Sequence, residues 1–251
     1  MERKDFLKGL GLVGLGSLAI PIISSCNDDD SSTDSSATDT TEATDTGSSS
    51  GSSTCSVSPS ETAGPFPTKS PSSLVKTDIT SDRTGVPFTI NITIQNKNAS
   101  CAALAGALVD IWHCDKDGYY SEYGGTGMQS ADFTSVHFLR GRQTTNTNGL
   151  VSFTSIFPGW YSGRATHIHV HIYNSAGTSL LVTQIAFPEG SGSAVVLVNA
   201  STTNGYTKGM SGYTYNASDN VFSDSVSSEL ATVTGSVAAG FVLTHNINVA
   251  G

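Results

Sequence analysis

A period-two alternation of apolar and polar residues recurs along this 251-residue chain and constrains the fold more than any other feature. Residues 88–94 (FTINITI) are the clearest example, because every second residue is apolar. This pattern is typical of strands with one face in a core and one in water. The same interpretation predicts further strands at 106–112, 150–153, 166–173, 180–186, 194–198 and 241–249, and no stretch shows helical periodicity.

The composition supports a β fold. Charged residues make up 13% of the chain, too few for a helical bundle or coiled coil, and there are 26 Gly. Strands at this spacing, separated by turns such as Asn148-Gly149, predict an all-β fold. We expect a β-sandwich of mixed or antiparallel strands with long active-site loops, formed as one domain by residues 55–251.

Residues 1–26 have the features of an export signal. A basic start is followed by an apolar stretch that Gly and Pro interrupt, and the segment ends in Ile23-Ser24-Ser25-Cys26. This ending resembles a bacterial lipobox, which implies lipidation of Cys26. We therefore expect an exported protein anchored to a bacterial membrane by lipid only. A plain secretory signal is the alternative, and the sequence leaves the export route and the membrane leaflet open.

Residues 27–54 are a low-complexity run of Asp, Ser, Thr and Gly. Without aromatic or large aliphatic residues such a segment cannot offset the entropy of ordering, so we expect a disordered acidic tether. Its seven acids and no Lys or Arg account for most of the net charge of −9. The remaining domain is nearly neutral and lacks the basic patch of nucleic-acid-binding proteins.

Three cysteines lie beyond the tether, at Cys55, Cys101 and Cys114. In an exported protein Cys55 and Cys101 are candidates for a disulfide, although the sequence alone does not fix the pairing. Cys114 would then be left over. A metal-ligating Cys114 is an alternative that no Cys-x-x-Cys spacing supports.

The segment 164–171 (RATHIHVH) holds the densest cluster of potential metal ligands. Alternate residues of a strand share a face, so His167 and His169 point the same way from backbone positions about 7 Å apart, and both imidazoles can reach one metal. Exposed histidines on an edge strand are the alternative. Two histidines do not complete a metal site, which directs attention to the tyrosines upstream.

Two Tyr-bearing segments precede the histidines, at 118–121 (GYYS) and 157–161 (FPGWY). A phenol with a pKa of about 10 is a poor ligand for Zn or Fe(II) at neutral pH. A trivalent ion favours the phenolate strongly enough to displace the proton. Two tyrosinates and two imidazoles would balance most of the charge of Fe(III).

Together these segments resemble the intradiol ring-cleavage dioxygenases, the family of catechol and protocatechuate dioxygenases. The resemblance spans roughly residues 55–190, with matches in the family's order at 61–67, 106–115, 118–121, 138–141, 157–161, 164–169 and 183–187. It implies a non-haem Fe(III) enzyme that cleaves a small aromatic diol with O2 to a cis,cis-muconate-type diacid. The substrate, and the oligomeric state, remain open, and no basic cluster marks a carboxylate site.

The resemblance also implies roles for individual residues. The expected iron ligands are Tyr120, Tyr161, His167 and His169. Tyr120 is preferred to Tyr119 because the family pattern is Gly-x-Tyr, and His171 has no ligand counterpart. The expected catalytic residues are Tyr161, which a bound diol displaces from iron, and the polar pair Arg164 and Gln184. The expected substrate contacts are Gly64, Pro65, Tyr119 and Arg164.

One departure from the family concerns the loop before the histidines. Only five residues separate Tyr161 from His167, fewer than in many members, which predicts a more open pocket. Two other functions remain alternatives. One is a non-catalytic cell-surface β-sandwich binding module, and the other is a Zn or Fe(II) enzyme that uses the three histidines.

Overall fold

The computed structural model describes residues 55–125, 127–200 and 204–251. The expected signal peptide with Cys26 and the expected tether lie outside the described residues. Within the described ranges, no helix is both long and apolar enough to cross a bilayer. The lipid anchor therefore stays a prediction.

Nine strands and two short α-helices are the main regular elements of the described ranges, beside a few single turns of 3-10 helix. The strands are β1 (Pro87–Asn96), β2 (Ala102–Ala103), β3 (Leu108–Trp112), β4 (Arg140–Thr144), β5 (Leu150–Ile156), β6 (His167–Tyr173), β7 (Ser179–Ala186), β8 (Thr232–Ser236) and β9 (Gly240–Val249). The helices are α1 (Ala194–Asn199) and α2 (Val226–Glu229).

The strands form two sheets. In the first, β1 pairs antiparallel with β2 and β5 and parallel with β9, and β9 pairs antiparallel with β8. The second has the order β4-β3-β6-β7 and is antiparallel throughout. The all-β fold expected from the alternation is confirmed.

The core lies between the sheets and is built from alternate residues of their strands. Every second residue of β1 is buried, as are Ile168, Val170 and Ile172 of β6, which belong to the same apolar cluster. Because neighbouring residues of a strand point to opposite faces, the histidines of β6 lie on the face away from this core. Strand β6 therefore supplies both a core surface and a row of imidazoles.

One predicted strand is wrong. Residues 194–198 begin helix α1, and the side chain of Ser193 accepts a hydrogen bond from the Val196 amide at 3.3 Å, as an N-cap does. Val195 and Val198 are buried while Leu197 is exposed, which is helical spacing. The run AVVLV is too short to show a helical period. Its β-branched residues therefore suggested a strand.

Three strands of the structure were not predicted, namely β2, β4 and β8, and β2 is only two residues long. Strand β4 (RGRQT) is polar, and β8 (TVTGS) is exposed except at Val233, so neither shows the alternation of a half-buried strand. Cys55 and Cys101 form a disulfide with Cα atoms 5.9 Å apart. Cys114 is a buried free thiol.

Candidate active site

Three expected ligands meet on the outer face of β6. The Tyr120 hydroxyl oxygen lies 3.0 Å from Nε2 of His167 and 3.4 Å from Nε2 of His169. The two Nε2 atoms are 3.1 Å apart. All three side chains are buried. Three donor atoms therefore converge on one point inside the protein.

Each imidazole is held by its own neighbours. Nδ1 of His167 lies 2.6 Å from the Ala165 carbonyl oxygen. A carbonyl can only accept, so Nδ1 carries the hydrogen and Nε2 presents a lone pair to the cluster. The ring of His169 stacks on Trp112, with centroids 4.9 Å apart and planes 3° from parallel. Gly64 lies close to the edge of the same ring, since a Cβ added to this glycine would be 3.1 Å from Cε1 of His169.

Burial keeps both imidazoles neutral. Desolvation, with a smaller effect of Arg164, lowers the pKa of His167 to about 3. Desolvation, with effects of His167 and Arg164, holds the pKa of His169 well below its usual 6.5. Neutral imidazoles are the form that binds a metal. Burial raises the pKa of Tyr120 well above 10 in spite of the charges of Arg164 and Arg140, so the protein alone does not favour its phenolate.

The donor set fits a metal ion. Nδ1 of His169 is buried and has no hydrogen-bond partner among the described residues, so stacking on Trp112 and the contacts of Nε2 orient this ring. A bound cation would be coordinated by the Nε2 atoms of both imidazoles and would stabilise the Tyr120 phenolate. Imidazole nitrogen and phenolate oxygen are suitable ligands for iron.

The three-histidine alternative is wrong. No group of three or more His, Cys, Asp or Glu in the described ranges is arranged to hold a metal. His171 lies apart from the cluster, since Nε2 lies 2.8 Å from the Ser179 hydroxyl and Nδ1 lies 2.8 Å from the Tyr173 hydroxyl. Its ring also stacks on Tyr173. Ordinary polar partners therefore occupy both ring nitrogens.

Tyr161 packs against Tyr120, but its hydroxyl does not join the cluster. Its ring centroid is 6.0 Å from that of Tyr120, in an edge-on arrangement. Its hydroxyl donates to the Met128 carbonyl oxygen at 2.5 Å. The structure thus places the fourth expected ligand beside the other three, with its phenol turned to a backbone acceptor.

A cavity of about 380 Å³ opens over this cluster. It is lined by the four expected ligands and by the expected contacts Gly64, Pro65 and Arg164. Tyr119 does not line it and instead borders a second cavity, with its ring 5.8 Å from Phe133. Successive residues of an extended segment point to opposite sides, so Tyr120 and Tyr119 face different spaces.

Comparison with known proteins identifies the family. Residues 63–210, more than half of the chain, match the family model described as dioxygenase. The chain belongs to the intradiol dioxygenase family. An intradiol ring-cleavage dioxygenase from Tetranychus urticae superposes with a TM-score of 0.67 at 27% identity, covering 78% of this chain and 95% of that one. The dioxygenase domain of a carbohydrate-binding fusion protein from Streptomyces sp. SirexAA-E gives 0.54 at 25% identity, covering 77% and 97%.

A curated relative matches over a shorter region. Catechol 1,2-dioxygenase 1 from Acinetobacter lwoffii is 28% identical over an alignment of 123 residues that covers 42% of this chain. The chain spans only 37% of the length of that relative. The similarity therefore supports the family of the domain and leaves its own activity as a proposal.

In this intradiol dioxygenase domain, Arg164 and Gln184 are in contact. Nη2 of Arg164 donates to Oε1 of Gln184 at 2.8 Å, and Nε2 of Gln184 donates to the Thr62 carbonyl oxygen at 2.8 Å. Gln184 lies directly across from His169 in the β6–β7 register and is fully buried. It touches Arg164 and the loop of Gly64, whereas only Arg164 lines the cavity.

Two buried charges of the dioxygenase were not anticipated. Asp219 is fully buried, and its carboxylate accepts from Nε of Arg164 at 2.9 Å and from the Ala165 amide at 2.7 Å. Arg140 is also fully buried and donates to the carbonyl oxygens of Phe66 at 2.8 Å and Ser121 at 2.6 Å. Arg140 thereby ties together two loops of the site. Arg140 could have been singled out from the sequence, because it lies in the segment 138–141 that matches the family. Asp219 lies in a polar stretch with no such match, so the sequence did not point to it.

Proposed function

We propose that this domain uses non-haem Fe(III) to cleave a catechol-type aromatic diol with O2, giving a cis,cis-muconate-type dicarboxylic acid. The proposed ligands are Tyr120, Tyr161, His167 and His169. The observation that carries the proposal is the convergence of the Tyr120 hydroxyl with Nε2 of His167 and His169 in a buried pocket. Family membership of residues 63–210 supports the same reaction.

The ligands have distinct tasks in this proposal. Fe(III) would supply Lewis acidity to the diol and accept electron density from its ring. The neutral histidines and the Tyr120 phenolate would hold the ion. Tyr161 is partly exposed at the cavity and its hydroxyl forms no hydrogen bond with the other three ligands, so its phenolate would be the one free to accept a proton from a diol hydroxyl.

Arg164 would stabilise negative charge on the reacting ring. Its Nε is engaged by Asp219 and its Nη2 by Gln184. Nη1 has no hydrogen-bond partner among the described residues, and the side chain lines the cavity. A guanidinium fixed in this way is oriented before substrate arrives and needs no reorganisation during the reaction.

The proposal includes export and lipid anchoring at Cys26. The pattern of residues 1–54 supports it. The expected partners are the diol and O2, with no nucleic acid and no membrane contact except through the lipid. Incorporation of a labelled fatty acid into the wild type and its loss in Cys26→Ser would test the anchor.

The test of the enzyme uses the purified protein loaded with ferric iron. Tyrosinate bound to Fe(III) absorbs visible light by charge transfer, so we expect a reddish protein that consumes O2 with catechol. Tyr120→Phe keeps the ring that stacks on Phe66, with centroids 4.8 Å apart, and should bleach or shift the band. The matched control Tyr119→Phe should retain the band. A colourless, inactive ferric protein would refute the proposal.

A further inference from the structure

A second cavity of about 520 Å³ adjoins the candidate active site. Met128, Tyr161 and Ser162 line both cavities. The two cavities are therefore neighbours that meet at Tyr161, and a substituent of a diol bound over the histidines can be directed towards the second one. The chemistry of that second space determines which substituents fit it.

Lys208 is the distinctive group lining the second cavity. Its ammonium donates to the Trp160 carbonyl oxygen at 2.7 Å and lies 3.6 Å from the centroid of the Trp160 ring. These contacts use one of its three hydrogens and fix the nitrogen against the backbone just before Tyr161. The remaining donors are available to a ligand.

Lys208 has two acidic neighbours, Asp115 and Asp117, and Asp117 also lines the second cavity. No described carboxylate forms an ion pair with Lys208. Its two acidic neighbours have their own cations, since Asp115 lies 3.3 Å from Arg83 and Asp117 lies 2.8 Å from Lys116. A half-buried ammonium that forms no ion pair favours an anionic ligand, because the ligand restores the interactions lost on leaving water.

We propose that the second cavity binds a carboxylate carried on the side chain of the diol, with Lys208 as its cationic partner. The inference rests on the proposed function. The ammonium is held at the carbonyl of Trp160, the residue before Tyr161, and the ring would bind beyond the side chain of Tyr161. A carboxylate on a spacer of a few bonds therefore suits the site better than one attached to the ring. Lys208 is distant in sequence from the matching motifs, which is why no carboxylate site was expected.

The test compares two diols that differ only in charge. They are 3-(3,4-dihydroxyphenyl)propanoate and its neutral amide, 3-(3,4-dihydroxyphenyl)propanamide, and catechol serves as the reference. We expect kcat/KM of the wild-type ferric enzyme to favour the acid by about tenfold, the scale of a charge-assisted hydrogen bond. In Lys208→Gln, which keeps a donor for the Trp160 carbonyl, this preference should fall towards one, mainly through a higher KM for the acid.

Controls separate the possible outcomes. Lys97→Met removes an exposed lysine outside the cavity and should leave the preference unchanged. Lys208→Met, with its thermal unfolding measured, provides a second variant if Lys208→Gln folds poorly. Turnover of catechol and the amide without preference for the acid, or a preference that survives both Lys208 variants, overturns the carboxylate site alone. Absence of turnover with all three diols overturns the proposed function and this inference together.

Discussion

Asp219 fixes the guanidinium of Arg164 from behind the candidate active site. Its two carboxylate oxygens lie 3.1 and 2.9 Å from Nε of Arg164. Burial alone would raise the pKa of Asp219, but hydrogen bonds from Arg164, Ala165 and Val221 outweigh it, and the pKa lies below its usual value. The same carboxylate therefore stays charged, orients Arg164 and anchors the turn that leads into β6.

We expect Asp219→Asn to lower kcat/KM for catechol by about tenfold, the scale of a hydrogen bond between charged groups. The asparagine keeps the shape and one acceptor but loses the charge that holds Arg164. Because Asp219 acts through Arg164, the double variant with Arg164→Lys should be little worse than Arg164→Lys alone. Asp224→Asn, at an exposed neighbouring acid, is the control. Additive losses in the double variant would contradict this coupling.

Gly64→Ala should weaken metal binding. Gly64 has a φ of +67°, and a Cβ there would lie 3.1 Å from Cε1 of His169, so alanine both strains the backbone and displaces the ring. Gly177→Ala is the matched control, because its φ is +84° but a Cβ would meet nothing within 4 Å. Both variants should lose about 1 kcal/mol of unfolding free energy, because a residue with a Cβ is strained in the left-handed region. Only Gly64→Ala should bind iron less tightly in a chelator competition, and equal affinities would show that this contact is unimportant.

Glu229→Gln should change the pH dependence of stability. Burial first, and then the charges of Glu61, Asp224 and Asp219, raise the pKa of Glu229 to about 7. The folded protein thus retains a proton that the unfolded chain releases near pH 4.5, so this group contributes stability at low pH that is lost as the pH rises to about 7. Between pH 5 and 8 the variant should lose about 2 kcal/mol less unfolding free energy than the wild type. Denaturant titrations with parallel pH profiles for the two proteins would contradict the assignment.

Removal of the disulfide should destabilise the domain. Cys55 and Cys101 are 46 residues apart, and a cross-link over such a loop stabilises by up to about 4 kcal/mol by restricting the unfolded chain. The double variant Cys55→Ser/Cys101→Ser should therefore unfold at lower temperature, as measured by calorimetry. The thiol of Cys114 is buried and should not react with iodoacetamide in the native protein. A modified native Cys114 would show that its surroundings open readily.

The sequence predicted the parts of the fold that depend on local periodicity. In β6 the alternation of histidines with Ile168, Val170 and Ile172 distinguishes an imidazole face from a core face, and the structure has this arrangement. Helix α1 was missed because six residues span too few turns for a helical period to stand out from a β-branched run.

The site was predictable only as far as its motifs extend. The convergence of Tyr120 with His167 and His169 agrees with residues singled out from the sequence. The contacts of Arg164 with Asp219 and of Lys208 with Trp160 join distant loops, and no short-range pattern encodes such contacts. The acceptor of the Tyr161 hydroxyl, a carbonyl of the loop at Met128, likewise depends on how that loop folds.

The parallel pairing of β1 with β9 has a consequence for folding during synthesis. Residues from Phe88 to Asn96 take their partners from Phe241 to Val249, across more than half of the chain. A nascent chain that lacks β9 leaves one edge of β1 unpaired and exposed to other chains. The entropy of closing so long a loop also slows folding. We therefore expect the first sheet to form late, after the ribosome has released nearly the whole domain.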